Sequence, residues 1–379
     1  MKIALVRQRV AGPGGAETTL GYLARGLAAV GHRLVVLGTD REDAARAALG
    51  PGVDYVQAPA YGGKTGRRLS FALNARRLWP RHNPDVVLSL ERTLGQQVYR
   101  AGDGCHREWL ARQAPYLGPA GLAARRLSLF HAVLLNLEGR LFGHPGLKKV
   151  IANSRQVQGE IVRHYGLGAD RMAVIYNGLD QARFKPLTEA ARQELRRRLG
   201  HGGEQPIILF AGSGFRRKGL KYLLEAAARL IPRRFAVWVA GKGDAAPYRR
   251  LAQRLGLVEQ VRFWGAQADL APFYQVAAAL ALPTLYDPCS NVALEALGCG
   301  CPVVTTCANG AGEFITSMEA GEVLTRPDDL EGLAQALERF LESGHNDLTR
   351  QAAHEAVAHL SWDATVQQTL AVLQEAAGK

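Results

Sequence analysis

Two carboxylates, Asp287 and Glu295, stand eight residues apart in the stretch LPTLYDPCSNVALEALGCGCPVVTT. Between them, residues 288–290 form a turn and an apolar-periodic segment opens at Asn291, which predicts a helix start. Backbone N–H groups at a helix start lack intrahelical partners and favour an anion. The pattern therefore suits a sugar diphosphate, with phosphates on the amides and sugar hydroxyls on the carboxylates. An ordinary capped helix carrying two surface acids is the alternative interpretation.

Two glycine-containing turns could bind the same ligand. The turn GSGFRRKG, residues 212–219, places Arg216, Arg217 and Lys218 between a strand and a helix. These cations could neutralise a diphosphate and the charge that develops on it as a glycosidic bond breaks. Gly14 and Gly15 follow the first strand and open a helix, but they lack the spacing of a dinucleotide fingerprint. A solvated basic turn and a plain glycine turn are the alternatives.

A third acid, Asp103, lies in the small-residue loop RAGDGC, residues 100–105. An acid flanked by glycines can stand close to a substrate. On these residues alone, an ordinary turn residue is the simpler interpretation.

The stretch 105–149 combines basic residues with a high content of leucine and aromatic residues. Its basic residues include Arg107, Arg112, Arg125, Arg126, Arg140, Lys148 and Lys149, against the acids Glu108 and Glu138, and Trp109 is among its apolar residues. A basic face with apolar neighbours fits a helix lying on an anionic bilayer surface. An amphipathic helix packed within its own domain is the alternative.

The elements that position these loops alternate between strands and helices in two successive series. This alternation predicts parallel sheets covered on both faces, in two Rossmann-like α/β domains that face each other across a cleft. The loops at 12–15, 212–218 and 287–291 each follow a strand. Ligands of such sheets lie beyond the carboxyl ends of the strands, so we expect these loops to line binding sites.

Composition limits the possible classes of protein. A length of 379 residues with 47% hydrophobic and 21% charged residues predicts about two globular domains. We expect no membrane-spanning helix and no secretory signal, and we interpret the five cysteines as reduced thiols of a cytoplasmic enzyme. The net charge of +13 implies an anionic partner: nucleic acid, a phosphorylated substrate or a membrane surface.

Taken together, these motifs resemble those of glycosyltransferase family 4. The members of this family are retaining enzymes of the two-domain GT-B fold. Asp287 and Glu295 match the spacing of the E-x7-E pair of the family, and residues 217–219 match its Arg-Lys-Gly turn. The chain looks most similar to lipopolysaccharide core glucosyltransferases. Two departures, Asp287 for glutamate and Pro288 and Ser290 for glycines, leave the donor sugar open: glucose is expected, with galactose, N-acetylglucosamine or another hexose as the alternatives.

The resemblance implies a role for each matched residue. Glu295 would bind the ribose, Asp287 the donor sugar, and Arg217 and Lys218 the diphosphate, with Asp103 beside the acceptor hydroxyl. The implied donor-binding residues are Gly14, Gly15, Asp287, Ser290, Asn291, Val292 and Glu295, and the implied catalytic residues are Asp103, Arg217 and Lys218. The expected residues for membrane or acceptor contact are Arg107, Trp109, Arg112, Arg125 and Arg126. The loop 265–269 would frame the base.

The resemblance also implies a domain division. Residues 1–172 would form an acceptor-binding domain, onto which a C-terminal helix, 361–379, crosses back, and residues 173–360 would bind the nucleotide sugar.

The resulting hypothesis is a metal-independent, cofactor-free hexosyltransferase that moves a hexose, with glucose expected, from a UDP-sugar to a lipid-linked acceptor. The expected acceptor is the heptose region of lipopolysaccharide core, and the expected location is the inner face of the cytoplasmic membrane, without a nucleic-acid partner. A nucleotide-sugar 2-epimerase of the same fold and a basic nucleic-acid-binding protein are the alternatives.

Overall fold

The computed structural model describes residues 1–12, 14–203, 205–343 and 346–378. Pro13 of the first glycine loop and Lys379 of the expected C-terminal helix lie outside the described residues. The chain forms two compact units: one contains Met1–Gly178 and the C-terminal segment from Trp362, and the other contains Leu179–Ser361.

The first unit contains a seven-stranded sheet in which every pairing is parallel, in the order β3-β2-β1-β4-β5-β6-β7. Its strands are β1 (Lys2–Val6), β2 (Arg33–Gly38), β3 (Val53–Gln57), β4 (Val86–Ser89), β5 (Val98–Arg100), β6 (Lys149–Ala152) and β7 (Met172–Val174). Because β7 pairs with β6, the first unit extends past residue 172, the expected boundary, to Gly178.

Helices cover both faces of this sheet. They are α1 (Gly15–Ala29), α2 (Glu42–Leu49), α3 (Lys64–Leu78), α4 (His106–Gln113), α5 (Pro119–Arg126), α6 (Leu129–Phe142) and α7 (Arg155–Tyr165), with 3-10 turns at Trp79–His82, Ala114–Tyr116 and Ala169–Arg171. Alternate residues of β1 point to opposite faces. Ile3 and Leu5 therefore pack in the cluster that contains Leu20 of α1, whereas Val6 packs with Phe71 of α3.

The second unit contains a six-stranded parallel sheet in the order β10-β9-β8-β11-β12-β13, the order of a Rossmann fold. Its strands are β8 (Ile207–Ala211), β9 (Ala236–Ala240), β10 (Val261–Gly265), β11 (Ala279–Leu282), β12 (Val303–Thr306) and β13 (Gly321–Leu324). Its helices are α8 (Glu189–Arg198), α9 (Leu220–Ala227), α10 (Ala246–Arg254), α11 (Ala271–Val276), α12 (Asn291–Gly298), α13 (Leu330–Ser343) and α14 (Asp347–Val357), with 3-10 turns at Ala228–Leu230 and Gly310–Phe314.

The last helix, α15 (Trp362–Ala377), belongs to the first unit. Val366, Leu370 and Leu373 of α15 are buried in the same cluster as Leu20 and Leu23 of α1. Each unit is therefore a Rossmann-like α/β domain, and the predicted fold class is confirmed.

Candidate functional site

The site of the second unit lies where strand order reverses. The chain runs from β8 outward to β10 and then returns to β11, which pairs with β8 on its other side. Loops that follow such neighbouring strands border a crevice at the carboxyl edge of the sheet, where ligands of α/β domains bind. The loop after β8 carries Arg217 and Lys218, and the loop after β11 carries Asp287 and Ser290.

Backbone contacts hold these two loops together. The carbonyl oxygen of Arg217 accepts hydrogen bonds from the amide of Leu285 at 2.8 Å and the hydroxyl of Thr284 at 3.0 Å. Gly219 has a φ of +82°, and a Cβ at this position would lie 1.9 Å from the carbonyl oxygen of Pro283. Only glycine permits both this conformation and this approach. The turn that carries the cations is therefore fixed against the loop that carries Asp287.

The carboxylate of Asp287 accepts hydrogen bonds from both cations. Its Oδ2 lies 2.9 Å from Nη1 of Arg217 and 2.9 Å from Nζ of Lys218, which also donates to Oγ of Ser290 at 3.0 Å. The side chains of Asp287 and Lys218 are nearly buried, whereas that of Arg217 is 33% exposed. Burial raises the pKa of Asp287, but Lys218 and Arg217 outweigh it and hold that pKa at about 2. Asp287 is therefore ionised at neutral pH.

This ion-pair cluster should make the second unit sensitive to acid. The folded-state pKa of Asp287, about 2, is below its ordinary value of 3.8. Its contribution to stability is therefore present above pH 3.8 and is lost as the pH falls through 2. We expect the free energy of unfolding, measured by urea titration across this range, to fall by about 2 kcal/mol more in the wild type than in Asp287→Asn. Equal pH dependence in the two proteins would contradict this assignment.

Helix α12 begins beside this cluster. Ser290 is its N-cap residue, but the Ser290 side chain makes no capping bond and instead accepts from Lys218. The Ser290 amide donates to Oδ1 of Asn309 at 3.2 Å, a contact that sequence reasoning did not identify. Asn291 and Val292 form the first turn of α12. The structure thus brings these predicted donor-binding residues to the positive end of a helix dipole.

The second predicted carboxylate has a different partner. Oε2 of Glu295, in the second turn of α12, accepts a hydrogen bond from the hydroxyl of Tyr274 at 2.9 Å. Burial raises the pKa of Glu295 above its ordinary value. Tyr274 itself is wholly buried in α11.

The first unit has its own cluster at the carboxyl edge of its sheet. Arg7, directly after β1, donates through Nη1 to Oδ2 of Asp103 at 3.0 Å and to the carbonyl of Leu90 at 2.9 Å. The Asp103 side chain is 35% exposed. Burial alone would raise the pKa of Asp103, but the charges of Arg7 and Arg92 lower it. Asp103 is thus an ionised and accessible carboxylate.

A buried acid holds the loop that carries Asp103. Oε1 of Glu138 accepts from Nε of Arg92 at 3.0 Å and from the amide of His106 at 2.8 Å, while its Oε2 accepts from the hydroxyl of Tyr165 at 2.7 Å. Arg92 also donates to the carbonyl of Gly104 at 2.7 Å. Glu138 thereby links the start of α4 to the loop beside Asp103, a role that was not predicted.

The predicted glycine loop reaches the same edge. Helix α1 begins at Gly15 after the N-cap residue Gly14, and no side chain caps it. Gly14 thus precedes α1 and Gly15 is its first residue, so the positive end of the helix dipole lies in the loop that follows β1.

The basic segment 105–149 contains three helices, α4 to α6, rather than one surface helix. Two of its predicted contact residues make contacts within the first unit. Nε of Arg112 donates to Glu108 at 2.8 Å, and the Arg107 guanidinium lies 5.6 Å from the ring centroid of Tyr165. Trp109 is partly buried.

The junction between α5 and α6 is more open. Arg125 lies 2.6 Å from Nε2 of His131, whereas Arg126 is exposed. Leu127 and Leu129 are 86% and 69% exposed. Nowhere in the described ranges does the chain contain a helix with the length and apolar character needed to cross a membrane.

Comparison with known proteins gives two family matches, one for each half of the chain. Residues 13–183 match the model described as Glycosyltransferase Family 4, and residues 205–343 match the model described as Glycosyl transferases group 1.

Among curated proteins, the lipopolysaccharide glucosyltransferase WaaG of Escherichia coli is 25% identical over 264 residues, 69% of each chain. A D-inositol 3-phosphate glycosyltransferase of Catenulispora acidiphila is 32% identical over 241 residues, 58% of this chain and 54% of that enzyme. The matched region thus spans little more than half the length of several curated relatives.

Solved structures match over nearly the whole chain. A crystal structure of WaaG, described as involved in lipopolysaccharide biosynthesis, has a TM-score of 0.84 at 21% identity and covers 98% of this chain and 99% of that one. Anabaena HepE in complex with UDP-glucose has a TM-score of 0.73 at 22% identity, with 99% and 100% coverage. With both halves matched and the fold shared, this chain belongs to the family 4 and group 1 glycosyltransferases of the GT-B fold.

Proposed function

We propose that this protein is a retaining hexosyltransferase that uses a UDP-sugar, with glucose as the hexose, and a lipid-linked acceptor in the heptose region of lipopolysaccharide core. The observation that carries the proposal is the cluster of Arg217, Lys218, Asp287 and Ser290 at the start of α12. The name of WaaG, a lipopolysaccharide glucosyltransferase, and the HepE complex with UDP-glucose support the choice of donor and acceptor class.

In this proposal the donor binds along α12. Its phosphates accept hydrogen bonds from amides at the start of α12, and Glu295 accepts from the ribose. Asp287 accepts from hydroxyls of the sugar through Oδ1, since its Oδ2 is occupied by Arg217 and Lys218. The loop 265–269 frames the base.

The reaction proceeds on one face of the sugar. The bond between the anomeric carbon and the diphosphate oxygen breaks, and its electron pair leaves with the diphosphate. The acceptor hydroxyl oxygen bonds to the same face of that carbon, and its proton passes to an oxygen of the departing diphosphate. Arg217 and Lys218 stabilise the departing negative charge, which is the task that a metal ion performs in other transferases. The proposed reaction therefore needs neither metal nor cofactor.

Asp103 orients the acceptor rather than taking its proton. A carboxylate whose pKa is held below its ordinary value is a weak general base at neutral pH. Its Oδ2 is engaged by Arg7, and Oδ1 can accept a hydrogen bond from the attacking hydroxyl.

A donor screen tests the proposal. Purified protein is mixed with UDP-glucose, UDP-galactose or UDP-N-acetylglucosamine and with heptose-terminated core lipopolysaccharide, and released UDP is measured with and without EDTA. We expect UDP-glucose to be the best donor, the new glycosidic bond to retain the donor's anomeric configuration, and EDTA to leave the rate unchanged. A 2-epimer of the donor formed without acceptor would instead establish the epimerase alternative, and salt-sensitive duplex binding without transfer would favour the nucleic-acid alternative.

Membrane contact is proposed for the junction of α5 and α6, on the inner face of the cytoplasmic membrane. Leu127 and Leu129 are exposed next to Arg125 and Arg126, a combination that suits an anionic bilayer. We expect Leu127→Glu with Leu129→Glu to lower binding to phosphatidylglycerol vesicles at least about tenfold in co-sedimentation, since two exposed leucines that would enter the bilayer are replaced by charges.

A matched control comes from the second unit. Leu348 in α14 is 67% exposed, and Leu348→Glu makes the same change away from the proposed surface. Unchanged vesicle binding by the double variant, or an equal loss with Leu348→Glu, would show that the bilayer binds elsewhere.

A further inference from the structure

One buried hydrogen bond in the second unit has no part in the function proposed so far. The hydroxyl of Tyr274 donates to Oε2 of Glu295 at 2.9 Å. Tyr274 has no exposed surface, and its ring lies 6.4 Å from that of Phe184. A buried tyrosine hydroxyl needs a partner, and here the partner is a carboxylate on the neighbouring helix.

The other oxygen of this carboxylate is available. Among the described residues, Oε1 of Glu295 accepts no hydrogen bond from a side chain or an amide, and Glu295 is only partly buried. A carboxylate has about four acceptor positions, so Glu295 retains capacity for a ligand. Tyr274 therefore fixes one side of the carboxylate while the other remains open.

We propose that Tyr274 is a positioning residue that orients Glu295 so that its open oxygen accepts hydrogen bonds from the ribose hydroxyls of the nucleotide donor. The inference deepens the proposed function and depends on it. A preorganised acceptor binds more tightly than one that must lose side-chain freedom on binding, because glutamate has considerable rotamer entropy.

The helix that carries Tyr274 adds support. Helix α11 begins just after Asp269, which accepts from the amide of Ala271 at 3.0 Å and from Nη2 of Arg183 at 2.8 Å. Asp269 ends the loop 265–269, which is proposed to frame the base. One short helix thus runs from the proposed base loop to the carboxylate proposed for the ribose.

The hydroxyl also influences the charge of Glu295. Burial raises the pKa of Glu295, while Tyr274, Arg183 and Lys218 lower it and Asp269 raises it. Loss of the Tyr274 hydroxyl should therefore raise this pKa further. A protonated carboxyl accepts hydrogen bonds from the ribose less well than a carboxylate does. Binding of the ribose should therefore weaken as the pH falls. In a variant without the Tyr274 hydroxyl, this weakening should begin at a higher pH than in the wild type.

Calorimetry with two nucleotides tests the inference without an acceptor. UDP and 2′,3′-dideoxy-UDP are titrated into the wild type, Tyr274→Phe and the control Tyr55→Phe. The control removes a hydroxyl that donates to the Asp40 carbonyl in the first unit. We expect Tyr274→Phe to weaken UDP binding about tenfold, the size expected when a hydrogen bond to a charged group is disturbed, and to change dideoxy-UDP binding less than about twofold. Tyr55→Phe should change neither.

A pH series gives a second readout that a merely structural role would not change. The quantity compared is the ratio of the affinity for UDP to the affinity for dideoxy-UDP. Because both nucleotides carry the same diphosphate, titration of the phosphates does not change this ratio. In the wild type this ratio should fall as the pH drops through the pKa of Glu295, and in Tyr274→Phe the fall should begin at higher pH. Glu295→Gln should abolish the preference for UDP over dideoxy-UDP. The double variant with Tyr274→Phe should show no further loss of this preference.

The outcomes separate the two proposals. If the wild type fails to bind UDP, the proposed function and this inference both fall. If the wild type binds UDP but Tyr274→Phe keeps its ribose preference, or loses affinity equally for both nucleotides, only the inference falls.

Discussion

Replacing Arg217 with alanine should lower kcat about 10²–10³-fold at saturating UDP-glucose, the cost typical of removing one preorganised group that stabilises developing charge. The guanidinium is already held in place, because Nη1 donates to Oδ2 of Asp287 and to the carbonyl of Tyr286 at 2.8 Å. With 33% of its side chain exposed, Arg217 can also contact the departing diphosphate. Steady-state release of UDP is the measurement.

Arg234 provides the control for this prediction, because it lies just before β9, at the opposite edge of the sheet from the loops after β8 and β11. It is exposed and has the same charge, and Arg234→Ala should leave kcat within about twofold. Full turnover in Arg217→Ala would contradict the proposed role. A rise in the donor KM alone, with kcat unchanged, would show that Arg217 binds the ground state and transition state equally.

Replacing Asp103 with asparagine should reduce transfer to the acceptor about 10²–10³-fold while UDP affinity is unchanged. An asparagine can satisfy Nη1 of Arg7 only through its Oδ1, so its amide group would then face the acceptor hydroxyl as a donor. The hydroxyl would lose the acceptor that orients it. Transfer kinetics and UDP calorimetry on the same preparation measure the two quantities separately.

Asp54 is the matched control, because it is an exposed acid on β3 of the same unit. Asp54→Asn should change neither transfer nor UDP binding. Near-normal transfer by Asp103→Asn would identify Asp103 as an ordinary turn residue.

The elements with strong periodicity could be predicted from the sequence. Leu20, Leu23 and Leu27 have helical spacing, which predicts the helix that opens after Gly14 and Gly15, and this helix spans Gly15–Ala29. The strands β3, β5, β7 and β13 were not predicted. They contain three to five residues each, as do most of the other strands, and their pairing depends on neighbouring strands rather than on their own residues.

Some residues of the candidate site could likewise be predicted from the sequence, and others could not. Arg217, Lys218, Asp287 and Glu295 could be found because each lies within a local motif next to a strand or helix end. Glu138 could not, since it lies 46 residues from Arg92 and no local spacing links them. Arg7 was missed although a signal was present: it directly follows β1, at the edge where ligands of such sheets bind.

The central claim is that the start of α12, with its cations and carboxylates, binds a nucleoside diphosphate. Isothermal titration of the purified protein with UDP, without added metal, tests this claim most directly. We expect one site per chain with micromolar affinity, weakened by Arg217→Ala and by Glu295→Gln but not by Asp103→Asn. Absence of binding at millimolar UDP, or binding that neither of the first two substitutions weakens, would contradict it.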